Sequence, residues 1–416
     1  MSPIASVYRR FLRNTLIAGI TGSAGKTTAT DLTYRVLTST GTGTVSCGAR
    51  NLLDEVVGTL MRTRPRHRFS VIEIGASAPG SLDKMLRVAQ PDIGIVLTIG
   101  LDHYSAFRGR EAVAREKAKL VECLRPSGWA VLNADDPLVA DMAEKAGCRV
   151  LTFGESDSAG LRYENSRSVW PEPLTFDLLI DHQRHRVKTQ FHGIQWLPSI
   201  MAAAATGLIA GIDPESIVRA IETAPPTDGR MSTCESHGVT FVCDDVKAPY
   251  WSIDYALDFM RTAQSARKIW VSGTISDYPG DSSRKYRSIA ARALECHDRV
   301  IFIGRNSGSV TKRGQQKNNP NLKHFNTIHE ADRYLQAELR TGDLVMLKGS
   351  LRVDHLRRLI HNREEPISCW RMNCGILKPC RNCELLYQTS RPTRPEWDPG
   401  VPNNQAGKGP SSTDKA

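Results

Sequence analysis

Seven consecutive residues, Gly22-Ser23-Ala24-Gly25-Lys26-Thr27-Thr28, have the composition of a phosphate cradle. Glycines let backbone N–H groups turn toward phosphate oxygens, and the start of a helix adds positive partial charge. In such loops the lysine meets the β- and γ-phosphates and the threonine hydroxyl holds Mg2+. The apolar run TLIAGI precedes the loop and a helical pattern follows it, the context this chemistry requires. The loop is shorter than the strict pattern, because Ile20 stands where the first glycine is usual. A glycine turn with an incidental lysine is the bland alternative, disfavoured by the coincidence of strand, glycines, Lys26 and Thr27. Glu73 ends the otherwise apolar FSVIEIG, where a carboxylate faces the ligand crevice and can hold Mg2+. Asp102-His103 follows IVLTIG, and Lys117 stands 14 residues beyond His103 on a helical segment. Singly these read as a solvated carboxylate, a turn histidine and a surface lysine. Their combination with the loop favours a site.

The elements that must position them alternate. TLIAGI, FSVIEIG, DIGIVLTIG and GWAVLNADD read as strands, and TATDLTYRVLTST, LDKMLRVA and EAVAREKAKLVECL as helices. This predicts an α/β fold with a mainly parallel sheet and ligands at the carboxyl ends of its strands. Residues 151–190 are polar and β-like, MAAAATGLIAG is a small-residue helix, and APPTDGR reads as a linker. A second α/β unit, Rossmann-like, follows with strands VTFVCDDV, KIWVSGT, RVIFIG and DLVMLKG. The expected organisation is a basic lead at 1–14, a P-loop central domain at 15–225, a C-terminal α/β domain at 226–362, and a Cys-rich, partly disordered tail at 363–416. The lead, with Tyr8, Phe11 and Leu12, is expected to pack on the body rather than meet a membrane.

Composition agrees with an ordinary soluble chain: 416 residues, 40% hydrophobic and 24% charged. Fibrous and wholly disordered classes are excluded, and no run of about 18 apolar residues offers a membrane span. MSPIASVYRRFLRN lacks the apolar run of a secretory signal, so a cytoplasmic protein is expected. The net charge of +11 suits an anionic partner, while 6% aromatic residues give little support for stacking nucleic-acid bases. Most of the ten cysteines are scattered and read as reduced thiols.

The motifs together resemble the Mur ligase family, ATP-dependent ligases that extend peptidoglycan peptides. The resemblance runs in order over about residues 15–360: GSAGKTT, Arg50-Asn51 in VSCGARNLL, VIEIGASAPGSL, QPDIGIVLTIGLDHYSAF, AREKAKL, AVLNADDP, DGRM, DDVKAP and MLKGS. The pattern is closest to the branch that adds D-Ala-D-Ala to the muramoyl tripeptide, although DDVKAP is similar to a stretch of the D-Glu-adding branch. The resemblance implies an ADP-forming ligase that joins an acid to an amine through an acyl phosphate. It implies that Gly22 to Thr28 bind ATP, that Thr27 and Glu73 hold one Mg2+, and that His103 helps hold a second. Lys117 matches a lysine these ligases carry as a carbamate. Arg230 would reach the γ-phosphate, Asp245 the ribose and Lys247 the phosphates. Asn51, Lys348 and Ser350 would lie near substrate.

Departures accompany the match. About 20 residues precede the loop, so an N-terminal UDP-sugar-binding domain is expected to be absent, and the acid to be non-UDP-muramoyl or presented by a carrier or partner. Thr98 replaces a usual Asn, and Gln195, Trp196 and Ser199 fall where the family has His, Asn and Asn. Trp196 reads as a core aromatic before a base-stacking one. A non-catalytic ATP-binding regulatory or scaffold subunit is the alternative function. Finally, Cys369, Cys374, Cys380 and Cys383 lie close enough in SCWRMNCGILKPCRNCE for tetrahedral zinc; free thiols and, less so, iron–sulfur stay open. Such a tail could dock a protein partner or cover the active site.

Overall fold

A computed structural model describes residues 2–46, 52–312 and 318–388. Asn51 falls outside them. The first sheet contains β1 (Leu16–Thr21), β2 (Gly43–Val45), β3 (Phe69–Glu73), β4 (Ile93–Val96), β5 (Trp129–Asn133), β6 (Arg149–Gly154), β7 (Leu161–Arg167), β8 (Thr175–Ile180) and β9 (Gln183–Lys188). Their order is β2-β3-β1-β4-β5-β6-β7-β8-β9. Pairing is parallel from β2 through β7, and β7-β8-β9 form an antiparallel meander.

Alternation along the central strands divides the core. Ala18, Ile20, Val71 and Ile95 face one cluster, which helix Lys26–Leu37 and helix Leu197–Ile209 cover. Ile17, Ile72 and Val96 face the other, covered by helices Leu53–Arg62, Ser81–Ala89 and Arg110–Glu122. Burial on both faces explains why these strands read as nearly continuous apolar runs. The small residues of LPSIMAAAATGLI let helix Leu197–Ile209 approach Lys26–Leu37: a Cβ on Gly207 would lie 2.6 Å from Val36. That contact holds the helix behind the phosphate loop in place.

The basic lead forms helix Ser2–Arg9 and packs on the body. Ala5 and Leu12 are buried, and the Arg9 guanidinium donates to Asp92 and to the Gln90 carbonyl.

The second sheet contains β10 (Ser232–Ser236), β11 (Val239–Asp244), β12 (Arg267–Ser272), β13 (Arg299–Ile303), β14 (Leu322–Phe325) and β15 (Asp343–Lys348), in the order β10-β11-β15-β12-β13-β14. Only β10 is antiparallel to its neighbour. The carboxyl ends of β11, β12 and β15 therefore open on one edge, presenting the loops that carry Lys247, Asp277 and Ser350. Among the described residues no helix is long and apolar enough to cross a membrane.

Candidate active site

β1 ends at Thr21 and the chain turns through Gly22 and Gly25 into helix Lys26–Leu37. Gly25 sits at φ 76°, and a Cβ there would lie 2.4 Å from Ser199 Oγ. Both strain and space therefore demand glycine. Gly25→Ala should cost about 1–2 kcal/mol from φ alone. Adding Ser199→Ala should relieve the contact but leave that strain. Thermal melts and nucleotide titrations of the single and double variants check this; a fully stable, nucleotide-competent Gly25→Ala would contradict it.

Two ammonium groups meet above this loop. Lys26 Nζ donates to the Gly22 carbonyl at 2.8 Å, and Lys117 Nζ donates to the same oxygen at 3.0 Å. Lys117 comes from helix Arg110–Glu122 and is fully buried. Burial, reinforced by the charge of Lys26, pulls its amine down to about 7. Its neighbour Glu116 faces the other way and accepts from the Gly80 and Leu82 N–H groups, fixing the helix register. On the opposite side of the loop, Thr27 Oγ1 donates to Glu73 Oε2 at 2.9 Å. Glu73 is buried, and its N–H donates to Ser46 Oγ. This oxygen pair beside a phosphate loop has the chemistry of a hard-cation site.

Asp102 and His103 sit in the loop after β4. The loop is pinned by Asp136, which accepts from the Ile99 N–H at 2.7 Å. His103 has φ 48° and lies 3.7 Å from Asp102. Burial alone would raise the Asp102 carboxyl, but Lys26, Lys247, Lys117 and His103 overcome it and hold it at about 2. His103 is pulled below the usual imidazole range, first by burial.

The second sheet reaches into the same place. Lys247 Nζ pairs with Asp102 at 3.1 Å and with Asp277 at 2.8 Å. Asp102, His103 and Asp277 place donor atoms within 4.8 Å of one another, the one such group among the described residues. Trp251 packs on Gly100, where a Cβ would lie 2.6 Å from its ring. The structure thus brings together Gly22, Ser23, Ala24, Gly25, Lys26, Thr27, Glu73, His103 and Lys117, with Lys247 facing them.

Other expected residues lie differently. Asp245 is buried rather than open to a ribose: its Oδ1 accepts from Arg357 at 3.2 Å, its Oδ2 has no partner, and burial raises its carboxyl to about 6. Arg230 makes no side-chain hydrogen bond or ion pair with the described residues; Arg357, not Arg230, pairs with Asp228. Lys348 is buried and ion-paired with Asp244, and Ser350 offers its N–H to Asp354 at 2.7 Å. Asp354 also accepts from Thr274, bracing the ends of β12 and β15. Trp196 is a core residue against Phe191, its indole N–H donating to the His192 carbonyl. Ser199 donates to the Gly25 carbonyl at 3.1 Å. Sequence reasoning missed Asp277, Asp354 and Arg357. Asp277 was findable, because it follows a strand whose carboxyl end opens on the crevice.

A phosphate loop, paired lysines, a buried carboxylate and a second α/β unit in contact with them are the layout of a P-loop ATP-using enzyme. Comparison with known proteins makes this specific. The profile of the Mur ligase middle domain matches residues 20–207, and that of the Mur ligase, glutamate ligase domain matches residues 229–351. The chain belongs to the Mur ligase family, ADP-forming enzymes that make amide bonds. It is 29% identical over 378 residues to the UDP-N-acetylmuramoyl-tripeptide–D-alanyl-D-alanine ligase of Mycobacterium leprae, covering 80% of this chain and 71% of that one. Identity to the Bacillus subtilis ligase of the same name is 23% over 357 residues, covering 84% and 76%. In fold it is similar to MurF from Acinetobacter baumannii, with a TM-score of 0.79, 23% identity, and 88% and 80% of the two chains covered. MurF from Thermotoga maritima, solved with ADP, aligns with a TM-score of 0.74 at 19% identity, covering 88% and 82%.

Proposed function

We propose that the chain joins a carboxylic acid to an amine by way of an acyl phosphate, with residues 15–225 and 226–362 as the two bodies that close on the reactants. The convergence of Lys26 and Lys117 on one carbonyl, beside Thr27–Glu73 and Asp102–His103–Asp277, carries this reading.

The residues fit ATP and Mg2+. At Gly22 and Gly25 the loop backbone carries no side chain. Thr98, whose carbonyl holds the Ser23 N–H, has a buried hydroxyl with no partner beside it. In the proposed roles Lys26 and the loop N–H groups bind the phosphates, while Thr27 and Glu73 hold one Mg2+. His103 and carbamylated Lys117 would hold a second. Bound magnesium would supply the positive charge that lets two anions approach. A carboxylate oxygen of the acid forms a bond to the γ-phosphorus as the bond to ADP breaks. The amine then attacks the acyl carbon, loses a proton and displaces phosphate. Arg230 has no competing partner among the described residues and is assigned to the γ-phosphate. Asn51, Lys348 and Ser350 are assigned to substrate, Lys247 to the phosphates. Asp245 is assigned to the ribose only after release from Arg357.

Lys117 is suited to carbamylation because its neutral amine attacks dissolved CO2, forming an N–C bond and releasing a proton. The neutral fraction falls from about half at pH 7 to about a tenth at pH 6. Labelled-bicarbonate NMR should show the Lys117 carbamate decline over that interval. The same shift acts on folding: the unfolded chain keeps this proton to about 10.5, so stability from this group rises with pH between about 7 and 10.5.

The acid is proposed to be a carboxylate other than a UDP-muramoyl peptide, or one held by a carrier or partner. The amine is proposed to be an amino acid or short peptide. Phosphate release should be screened over UDP-muramoyl peptides, free acids and carrier-bound acids, each with candidate amines, and products identified by mass. Phosphate release with an amide product supports the ligase. Release with UDP-muramoyl tripeptide alone would overturn the substrate reading, and nucleotide binding with no turnover for any pair would overturn the catalytic one.

A further inference from the structure

Beyond the ligase site, residues 366–388 fold back onto the segment that leaves β15. The Asn373 N–H donates to the Val353 carbonyl, Gly375 to Arg352, and Arg358 to the Cys369 carbonyl. Trp370 stacks on His329 and Leu386 is buried. Cys369, Cys374, Cys380 and Cys383 are all free thiols here and line one cavity of about 20 Å3 with His355 and Arg358. That is room for one water-sized particle.

The lining gathers four thiols around one imidazole, with Ile376 and Leu385 completing the wall. His355 is buried, is held at φ 50°, and faces sulfur at both ring nitrogens: Nε2 lies 2.8 Å from Cys374 Sγ and Nδ1 lies 3.3 Å from Cys380 Sγ. A ring N–H there can donate to a thiolate. Arg358, Arg371 and Lys378 also border the cavity and offset negative charge. Cys380, Cys383 and Cys374 sit on tight turns. The Cys383 N–H donates to the Cys380 carbonyl at 2.8 Å, and Asn373 and Gly375, flanking Cys374, have positive φ.

We propose that Cys369, Cys374, Cys380 and Cys383 hold one zinc ion, with the single ring N–H of His355 donating to the thiolate of Cys374 or of Cys380. Four sulfurs make a closed tetrahedral set, which selects zinc among redox-inert cations. No three of these donors lie mutually within 4.8 Å, so binding would require side-chain rotation to bring the sulfurs together on the ion. The site would be structural. It would clip the tail to the segment carrying Ser350 and Asp354, and would set Arg381 against Asp228, 3.1 Å away and two residues before Arg230. It stands independently of the substrate reading.

The test uses the full chain, expressed with zinc and purified without a metal-affinity step. The intact protein and a Cys123→Ser control should each carry one zinc per chain by elemental analysis, and a cobalt-loaded sample should show thiolate-to-metal charge-transfer bands. Cys380→Ser/Cys383→Ser should retain no zinc. His355→Asn, which tolerates positive φ, should bind about 10- to 100-fold more weakly in competition with a chromogenic chelator. An intact chain that takes up no zinc with its thiols reduced would overturn the proposal. So would zinc retained by the double variant, undiminished affinity in His355→Asn, or an iron–sulfur chromophore.

Discussion

Lys117→Ala should lower ligation about 10²- to 10³-fold, the loss typical when one transition-state stabilising group is removed. Lys117 is fully buried and donates only to the Gly22 carbonyl, so it is not a surface charge whose removal goes unnoticed. Its amine is held near 7, and in the proposed role it would react with CO2 to give a carbamate, an anion beside the Lys26 ammonium. Alanine removes both the amine and that anion. A short carboxylate added to the assay should therefore recover part of the rate, while a short amine should not. Folding is not expected to suffer in proportion, because the variant also removes a charge that burial disfavours. Lys117→Met fills the volume without the amine and separates packing from chemistry. Full turnover in either variant would remove the carbamate from the mechanism.

Lys26→Met should be as severe, with kcat lower by about 10²- to 10³-fold, and should carry a second signature. Lys26 is the leading charge that depresses Lys117 and the leading charge that holds down Asp102. Without it, the Lys117 amine keeps its proton to higher pH, and the Asp102 carboxyl rises above about 2. Carbamylation measured at pH 7 should consequently drop in this variant although Lys117 itself is untouched. A lysine that merely packed on the loop would change neither the bicarbonate signal nor the pH profile. Unaltered carbamylation would show that the two ammonium groups are not coupled.

Much of this site was legible because its signals are local. Gly22, Gly25, Lys26 and Thr27 lie within six consecutive residues, and Glu73, His103 and Lys117 each follow or flank an apolar run whose type was clear. The strands β3, β4 and β5 fall within the apolar runs named from sequence, and β1 runs one residue past its own, to Thr21. Two short elements were not legible: β2 has three residues, too few for a period to show, and β14 carries Lys323 and His324 and so makes no apolar run. β10 is polar and mostly open to solvent at the sheet edge, so it carries no apolar signal. The pairing of Asp245 with Arg357 joins residues 112 apart, and that of Lys247 with Asp102 joins residues 145 apart. Nothing in a linear motif announces such contacts. DDVKAP therefore suggested an open ribose ligand where the fold buries Asp245, and it gave no hint that Asp277 completes the group around Asp102 and His103. The cysteine spacing hinted at a metal, but His355 enters that cavity only through the fold.

Transfer of oxygen is the most direct test of acyl-phosphate chemistry at this site. With the acid that sustains phosphate release labelled with oxygen-18 in its carboxyl group, each turnover should deliver one labelled oxygen to inorganic phosphate, and the amide should keep the other. Phosphate released without label, while the amide forms, would show that the carboxylate is never phosphorylated and would contradict the mechanism.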